Sequence, residues 1–249
     1  MWITVGFTTL TVEKPQGSGR RSDGNAERRK KLEMRETVTL TGMVLLSAPS
    51  GDYDRRLVLL TRERGKITAF SHGARKPGNP LMAASRPFCF GNFSLYEGRN
   101  AYNLQSAQIT NYFEGLSADM EAACYGSYFL ETAAYFAQEN LDGTELLKLL
   151  YQSLRALLRP ALPNRLVRRI FELKSMVING EYTQDPPVPV SDSCHYAWEY
   201  VICSPSESLY KFCLKEEVLK EFESVVEKSR RYFVRHEFRS LEILETLTA

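Results

Sequence analysis

The sequence lacks any apolar run of the roughly 20 residues that a membrane-spanning helix needs. Its first residues also lack the basic start, apolar core and small-residue cleavage site of a secretory signal. Among its five cysteines there is no CxxC pair, and an odd number of widely spaced cysteines fits reduced thiols better than a disulfide framework. We therefore expect a cytoplasmic protein that does not contact the membrane.

A strong charge imbalance and catalytic motifs are absent as well. The formal net charge is +2, which is too small to indicate nucleic-acid binding by itself but is compatible with a local basic face. No serine, cysteine or histidine stands in a recognisable nucleophile context, and no phosphate loop of the Walker type occurs. The carboxylates are scattered along charged stretches. We expect no enzymatic activity and no cofactor.

Residues 1–33 differ in character from the rest of the chain. The segment from Glu13 to Lys31 is polar, contains glycine and is dense in charge, with no apolar periodicity that would support a core. Two interpretations stay open. The segment is a disordered extension, or it precedes a translation start at Met34.

From Thr37 onward, side chains alternate with a period of two, which indicates strands. In the first strand, Val38, Leu40, Gly42, Val44 and Leu46 share one face, and threonines occupy the other. Further strands are predicted, mostly joined by short turns, at 55–61, 66–72, 88–96 and 102–112. Five short strands predict a five-stranded oligonucleotide-binding (OB-fold) barrel over residues 34–114, with an SH3-like barrel as the alternative.

After Gly115 the apolar period becomes helical. Ser117 and Asn164 are predicted helix caps, and Asn179-Gly180 is a predicted left-handed stop. Helices are predicted from Ser117 to about 138, from 142 to before Pro160, from 164 to 179, over 196–203, over 214–230 and over 238–247. The fold class is therefore α+β, a barrel followed by a helical domain over residues 115–249.

A basic, glycine- and proline-rich loop, His72 to Met82, lies between two strand-like runs. Loops of this kind present cations and free backbone N–H groups to a polyanion. The predicted nucleic-acid-binding residues in and around it are Lys66, His72, Arg75, Lys76 and Arg99. Phe70 shares a strand face with Lys66, where it could stack on a base. We expect Phe70 to be a core residue instead.

Several short motifs resemble the RecO family of bacterial recombination mediators. They are Gly51-Asp-Tyr-Asp-Arg-Arg-Leu-Val-Leu-Leu-Thr61, Gly65-Lys-Ile-Thr68, Gly73-Ala-Arg-Lys76, Arg86-Pro-Phe88, Leu95-Tyr-Glu-Gly-Arg99, Arg169-Ile-Phe-Glu-Leu-Lys174 and Phe238-Arg-Ser-Leu-Glu-Ile-Leu244. The resemblance covers roughly residues 37–247. It implies a non-enzymatic mediator that binds single- and double-stranded DNA and anneals strands. It also implies docking of the acidic C-terminal tail of single-stranded-DNA-binding protein, and action with RecR in loading RecA.

Two other classes of function stay open. An oligonucleotide-binding barrel could serve a generic RNA-binding module by the same stacking and phosphate chemistry. A barrel and helices could also form an adaptor that binds only proteins.

The sequence departs from the family in two places. Many members carry a zinc ribbon of paired CxxC motifs after the helix that ends here at Gly180. This chain offers only Cys194, His195, Cys203 and Cys213, without the tight spacing that clamps a metal, and we expect no zinc ribbon and no metal. In addition, two strand positions that are often basic in the family hold Thr68 and His72, so we expect weaker DNA contact through that strand.

Three arginines, Arg165, Arg168 and Arg169, are predicted to lie on one side of a helix, away from its apolar stripe. A planar guanidinium can bind a terminal carboxylate with paired hydrogen bonds. The resemblance implies that this region receives the acidic, aromatic-ended tail, which makes these arginines candidates for docking. A salt-bridged surface that includes Glu172 is the alternative.

Overall fold

The computed structural model describes residues 37–248, and the expectation for residues 1–33 lies outside that range. The five strands are β1 (Thr37–Ser50), β2 (Asp54–Thr61), β3 (Gly65–Ser71), β4 (Phe90–Glu97) and β5 (Tyr102–Asn111). A short helix, α1 (Leu81–Ala84), precedes β4. After a 3-10 turn (Glu114–Ala118) come α2 (Met120–Phe136), α3 (Thr144–Leu157), α4 (Asn164–Ile178), α5 (Asp192–Cys203), α6 (Glu216–Phe233) and α7 (Arg239–Thr248).

The strands close into a barrel in the order β1-β2-β3-β5-β4, which confirms the predicted five-stranded barrel. Four of the five seams are antiparallel, and the fifth, between β3 and β5, is parallel. That seam has only two residue pairs, Ala69 with Tyr102 and Phe70 with Asn103. The backbone pairing that closes the barrel is therefore weakest between β3 and β5.

Strand β1 takes part in two cores because its alternate side chains point to opposite sides. Leu40 and Val44 lie inside the barrel, whereas Met43 and Leu45 pack with the helices. A bulge between Val44 and Leu46 shifts the pairing with β2 by one residue. The predicted inward position of Leu46 is therefore wrong, and its side chain is 48% exposed.

The helices follow the predicted order, with differences at their ends. Asp119, not Ser117, caps α2, because its carboxylate accepts a hydrogen bond from the Ala122 N–H at 3.1 Å. Ser191 caps α5, which begins at Asp192. Gly180 adopts the predicted left-handed conformation after α4, with φ of 74°. Within residues 37–248, no helix is both long enough and apolar enough to cross a membrane.

Backbone contacts between the β2–β3 turn and the α2–α3 loop join the barrel to the helices. The Lys66 N–H donates to Gln138 O at 2.9 Å, the Asn140 N–H donates to Arg64 O at 3.0 Å, and the Gly143 N–H donates to Arg62 O at 2.9 Å. Gly65 makes this approach possible. Its φ is 60°, and a Cβ there would lie 2.2 Å from Gln138 O.

We predict that Gly65→Ala lowers the free energy of unfolding by clearly more than the 1–2 kcal/mol or so that a left-handed alanine costs. The added methyl group would collide with backbone oxygens as well as strain the turn. Gly51→Ala is the matched control, because Gly51 has φ of 62° and nothing within 4 Å of a new Cβ. Equilibrium urea denaturation of both variants measures the difference, and equal losses would contradict the role assigned to this junction.

Candidate nucleic-acid interface

One half of the outer face of β2 and β3 is open to solvent, and the helices cover the other half. Arg56 pairs with Phe70, Val58 with Thr68, and Leu60 with Lys66, so each pair presents its side chains on the same face. Leu60 is fully buried under the helices, whereas Arg56 is exposed and Phe70 is half-buried on this outer face. Phe70 is therefore not part of the barrel core, contrary to the expectation for that residue.

Arg56 was missed as a candidate in the sequence. The signal was available, since Arg56 alternates with Leu57 and Leu59, which lie inside the barrel. An arginine directly opposite a half-exposed phenylalanine can contact a phosphate and lie over a base at the same time.

His72 continues this face at the end of β3 and bridges the weak parallel seam. Its Nδ1 lies 2.7 Å from Asp54 Oδ2, and its Nε2 lies 3.1 Å from Asn103 Oδ1 at the start of β5. The hydrogen bond with Asp54 raises the pKa of His72, which favours the cationic imidazolium. Hydrogen bonds from the Gly73 N–H and from His72 lower the pKa of Asp54. His72 thus links the ends of β2, β3 and β5 through its two hydrogen bonds.

Arg75 and Lys76 lie on the β3–α1 loop, which contacts the β1–β2 turn. Arg75 donates to Gly51 O at 3.1 Å, and the Lys76 ammonium lies 4.9 Å from the centre of the Tyr53 ring. Tyr53 is 55% exposed and was also missed as a candidate. The two loops therefore place cations and one aromatic ring together at the open end of the face.

Lys66 and Arg99 are placed differently from these residues. The Lys66 ammonium donates to Ala134 O of α2 at 3.0 Å, so it is already engaged between barrel and helix. Arg99 lies exposed on the β4–β5 turn and forms no ion pair with any residue in 37–248. Both line a cleft of about 300 Å³ together with Thr68 and Tyr102. Of the five predicted residues, His72, Arg75 and Lys76 lie together, and Arg99 lies across the face from them.

The three arginines of α4 participate in ion pairs within the helical part. Arg168 Nε lies 2.9 Å from Glu172 Oε1, and Arg169 Nη1 lies 2.7 Å from both Glu172 and Glu227. Arg165 pairs with Glu216 and Glu223. The side chains of Arg168 and Arg169 are only 9% and 12% exposed, whereas Arg165 is 37% exposed. Arg168 and Arg169 thus match the alternative of a salt-bridged arrangement with Glu172, except that Arg168 is buried and Arg169 is half-buried and neither lies on an open surface.

Glu172 and Glu227 are the centre of this buried ion cluster. Burial alone would raise the pKa of Glu172, but Arg169 and Arg168 outweigh it and hold the pKa below its usual value. The Tyr128 hydroxyl also donates to Glu172 at 2.7 Å. For Glu227, hydrogen bonds from Arg230, Arg231 and Arg169 overcome burial and lower the pKa to about 2. Arg168 and Arg169 are therefore already satisfied, and their placement gives no support to tail docking through them.

The residues considered for zinc are dispersed. Cys194 is fully buried, and burial raises the pKa of its thiol to about 11. Cys203 and Cys213 are exposed, and His195 lies 3.3 Å from Asp185. Across residues 37–248, no three histidine, cysteine or acidic side chains are grouped as metal ligands. Whether the protein carries zinc stays a prediction.

Two family models match the chain. The one described as Recombination protein O N terminal covers residues 34–113, and the one described as Recombination protein O C terminal covers residues 117–184. Together they account for more than half of the sequence. The chain belongs to the RecO family.

Curated relatives agree with that assignment. The chain is similar to DNA repair protein RecO of Desulforudis audaxviator, with 36% identity over 55% of each chain. It is 30% identical to that of Clostridium novyi over 55% of this chain and 54% of the relative. With that of Acetivibrio thermocellus it shares 22% identity over 83% of this chain and 96% of the relative. The first two matches span about half of each relative. A role in DNA recombination and repair follows for this RecO-family chain.

The match to the RecO C-terminal model ends at residue 184, close to where the sequence departs from the family pattern. The following segment leads into α5, whose Trp198 and Val201 are buried in the helical core. Apolar packing thus anchors the segment that follows the family match.

We predict that Glu172→Ala lowers the free energy of unfolding by about 3–5 kcal/mol, because Arg168 and Arg169 lose their buried counter-charge. Glu216→Ala is the control. It removes an exposed partner of Arg165, so its free energy of unfolding should stay close to that of the parent protein. Urea denaturation at pH 7 compares the two, and a loss at Glu172 as small as that at Glu216 would show that the cluster does not stabilise the fold.

We also predict loss of stability in acid that depends on Glu227. The pKa of Glu227 is lowered from 4.5 to about 2 in the folded protein. Its contribution is therefore fully present above pH 4.5 and is lost as pH falls toward 2. Between pH 2 and 6, the free energy of unfolding should fall less steeply for Glu227→Gln than for the parent protein. At pH 7 the variant should be less stable than the parent. Denaturation curves measure both. Glu217→Gln, at an exposed position, should leave the acid profile of the parent unchanged.

Proposed function

We propose that this RecO-family chain is a non-enzymatic recombination mediator that binds single- and double-stranded DNA on the open half of the β2–β3 face. One observation carries the proposal. The open half has exposed cations around a half-exposed phenylalanine, while helices cover the other half of the same face.

The charges of this surface are available to phosphate. Arg56, Lys76 and Arg99 form no ion pair with any residue in the described part of the chain, and Arg75 contacts only a carbonyl oxygen. Phosphate contacts of this kind provide most of the sequence-independent affinity for nucleic acid. Phe70 and Tyr53 add rings on which bases can stack, at about 1–3 kcal/mol per base.

Family membership supports a proposal about the partners of the mediator. We propose that it acts with RecR, in the cytoplasm and at the nucleoid, to load RecA on DNA coated by single-stranded-DNA-binding protein. For that protein's acidic tail we favour the vicinity of Arg165. A cleft of about 830 Å³ lies there, lined by Arg159 and Arg165, by Leu158 and Leu162, and by the acidic Asp119 and Glu121. Arg165 is the most exposed of the three arginines first considered.

The test is an anisotropy titration of a single-stranded oligonucleotide over a series of salt concentrations. We expect the triple variant Arg56→Ala, Lys76→Ala, Arg99→Ala to bind more weakly and to reduce the slope of log affinity against log salt by about 2, at roughly 0.7 per phosphate contact. The control triple variant carries Arg155→Ala, Lys211→Ala and Lys228→Ala, which removes equal charge from exposed positions on the helical part.

Equal slopes for the two triple variants would remove the β2–β3 face from the DNA path. Preference for RNA over DNA of matched length and salt would favour the RNA-binding alternative. No measurable affinity of the parent protein at low salt would favour the protein-only adaptor.

A further inference from the structure

Two stacked rings lie on the surface of the helical part, outside the face discussed above. Tyr135 of α2 and His236 of the α6–α7 connection have ring centroids 5.0 Å apart and an angle of 22° between their planes. The buried Phe238 meets both rings edge-on, at 84° to Tyr135 and 75° to His236. We call Tyr135, His236 and Phe238 the aromatic platform.

Contacts between α2 and the start of α7 fix the orientation of the platform. Glu131, one helical turn before Tyr135, accepts hydrogen bonds from the Arg239 N–H at 3.2 Å and the Ser240 N–H at 2.9 Å. These bonds hold the start of α7 against α2, and Phe238 lies directly before that point. The orientation of the two stacked rings is therefore set before any ligand arrives, which reduces the entropy lost on binding.

The platform is exposed and flanked by cations. Tyr135 is 40% exposed, and His236 is exposed as well. Arg235 and Arg239 are exposed on either side of His236, with Glu237 between them, and neither guanidinium pairs with a carboxylate in residues 37–248. A pre-set aromatic stack beside unpaired arginines matches the chemistry of a base and its phosphates.

The helix that carries Tyr135 also contacts the barrel. Tyr135 follows Ala134 in α2, and the Ala134 carbonyl accepts the hydrogen bond from Lys66 of β3. Lys66 lines the same cleft as Thr68 and Arg99, at the rim of the open half of the face. A strand that crosses the β2–β3 face toward Arg99 therefore reaches the Lys66 side chain, which contacts α2, the helix that also carries Tyr135.

We propose that the aromatic platform is a second contact for single-stranded nucleic acid, in which a base stacks on the Tyr135–His236 pair after the strand leaves the barrel. This inference rests on the proposed function and extends it to the helical part of the chain. It predicts that the protein binds a longer strand than the barrel alone can cover.

The test measures affinity for oligothymidylates of increasing length, from about 6 to about 25 nucleotides, since one OB fold covers roughly 4–16. We expect Tyr135→Ala and His236→Ala to leave the shortest oligonucleotides unaffected and to weaken the longest by about five- to hundredfold. Tyr135→Phe keeps the ring and should behave as the parent does. Tyr196→Ala is the matched control, because it removes a tyrosine that is 69% exposed on α5.

Photo-cross-linking of the unmodified protein to an oligonucleotide that contains 5-iodouracil gives an independent result. A cross-link in the peptide with Tyr135 or the peptide with His236 supports the inference, even where an alanine variant fails to fold. Unchanged affinity at every length, with cross-links confined to residues 37–111, overturns it and leaves the proposed function standing. Failure of the parent protein to bind any oligonucleotide overturns the proposed function instead.

Discussion

The backbone junction between the β2–β3 turn and the α2–α3 loop is the constraint on which the rest of the molecule depends. Hydrogen bonds from Lys66, Asn140 and Gly143 join the two segments, and the lack of a side chain at Gly65 allows them to approach. Because the helices are attached at this point, they cover Leu60 and engage Lys66. The other half of the same face is left to Arg56, Phe70 and His72. The position of the junction thus determines the position of the candidate interface.

The helical part solves a different physical problem. It buries Arg168 and Glu172 and half-buries Arg169, Glu227 and Arg230. A buried charge is costly unless opposite charges and hydrogen bonds surround it. Glu172 pairs with Arg168 and Arg169 and accepts a hydrogen bond from the Tyr128 hydroxyl, while Glu227 pairs with Arg169 and Arg230. The cluster joins α2, α4 and α6, and it explains why arginines that look accessible on one helix are used internally. Arg165, near the start of the same helix, is the most exposed of its three arginines.

The order and type of the elements could be predicted from the sequence because period two and period 3.6 are local signals. The predicted strands and main helices agree with those observed to within a few residues, apart from the ends of α2 and the earlier start of α5. What was missed depends on partners far away in the chain. The bulge that turns Leu46 outward is set by the register with β2, and the acceptor of Lys66 lies 68 residues away. Glu227, which holds Arg169, is 58 residues away from it. Arg56 was overlooked although its alternation was visible.

Strand β1 contributes side chains to two cores, and this affects whether the barrel can be separated from the helices. The N-terminal family model ends at residue 113, which looks like a boundary between separable modules. Met43, Leu45 and Leu60 nevertheless belong to the same apolar cluster as α2, and residues 37–249 form one compact unit. In a barrel without its helices, these three side chains would form an exposed apolar patch that promotes aggregation. The end of the family match therefore does not mark a separable folding unit, because cooperative folding and resistance to aggregation belong to the barrel and helices as a whole.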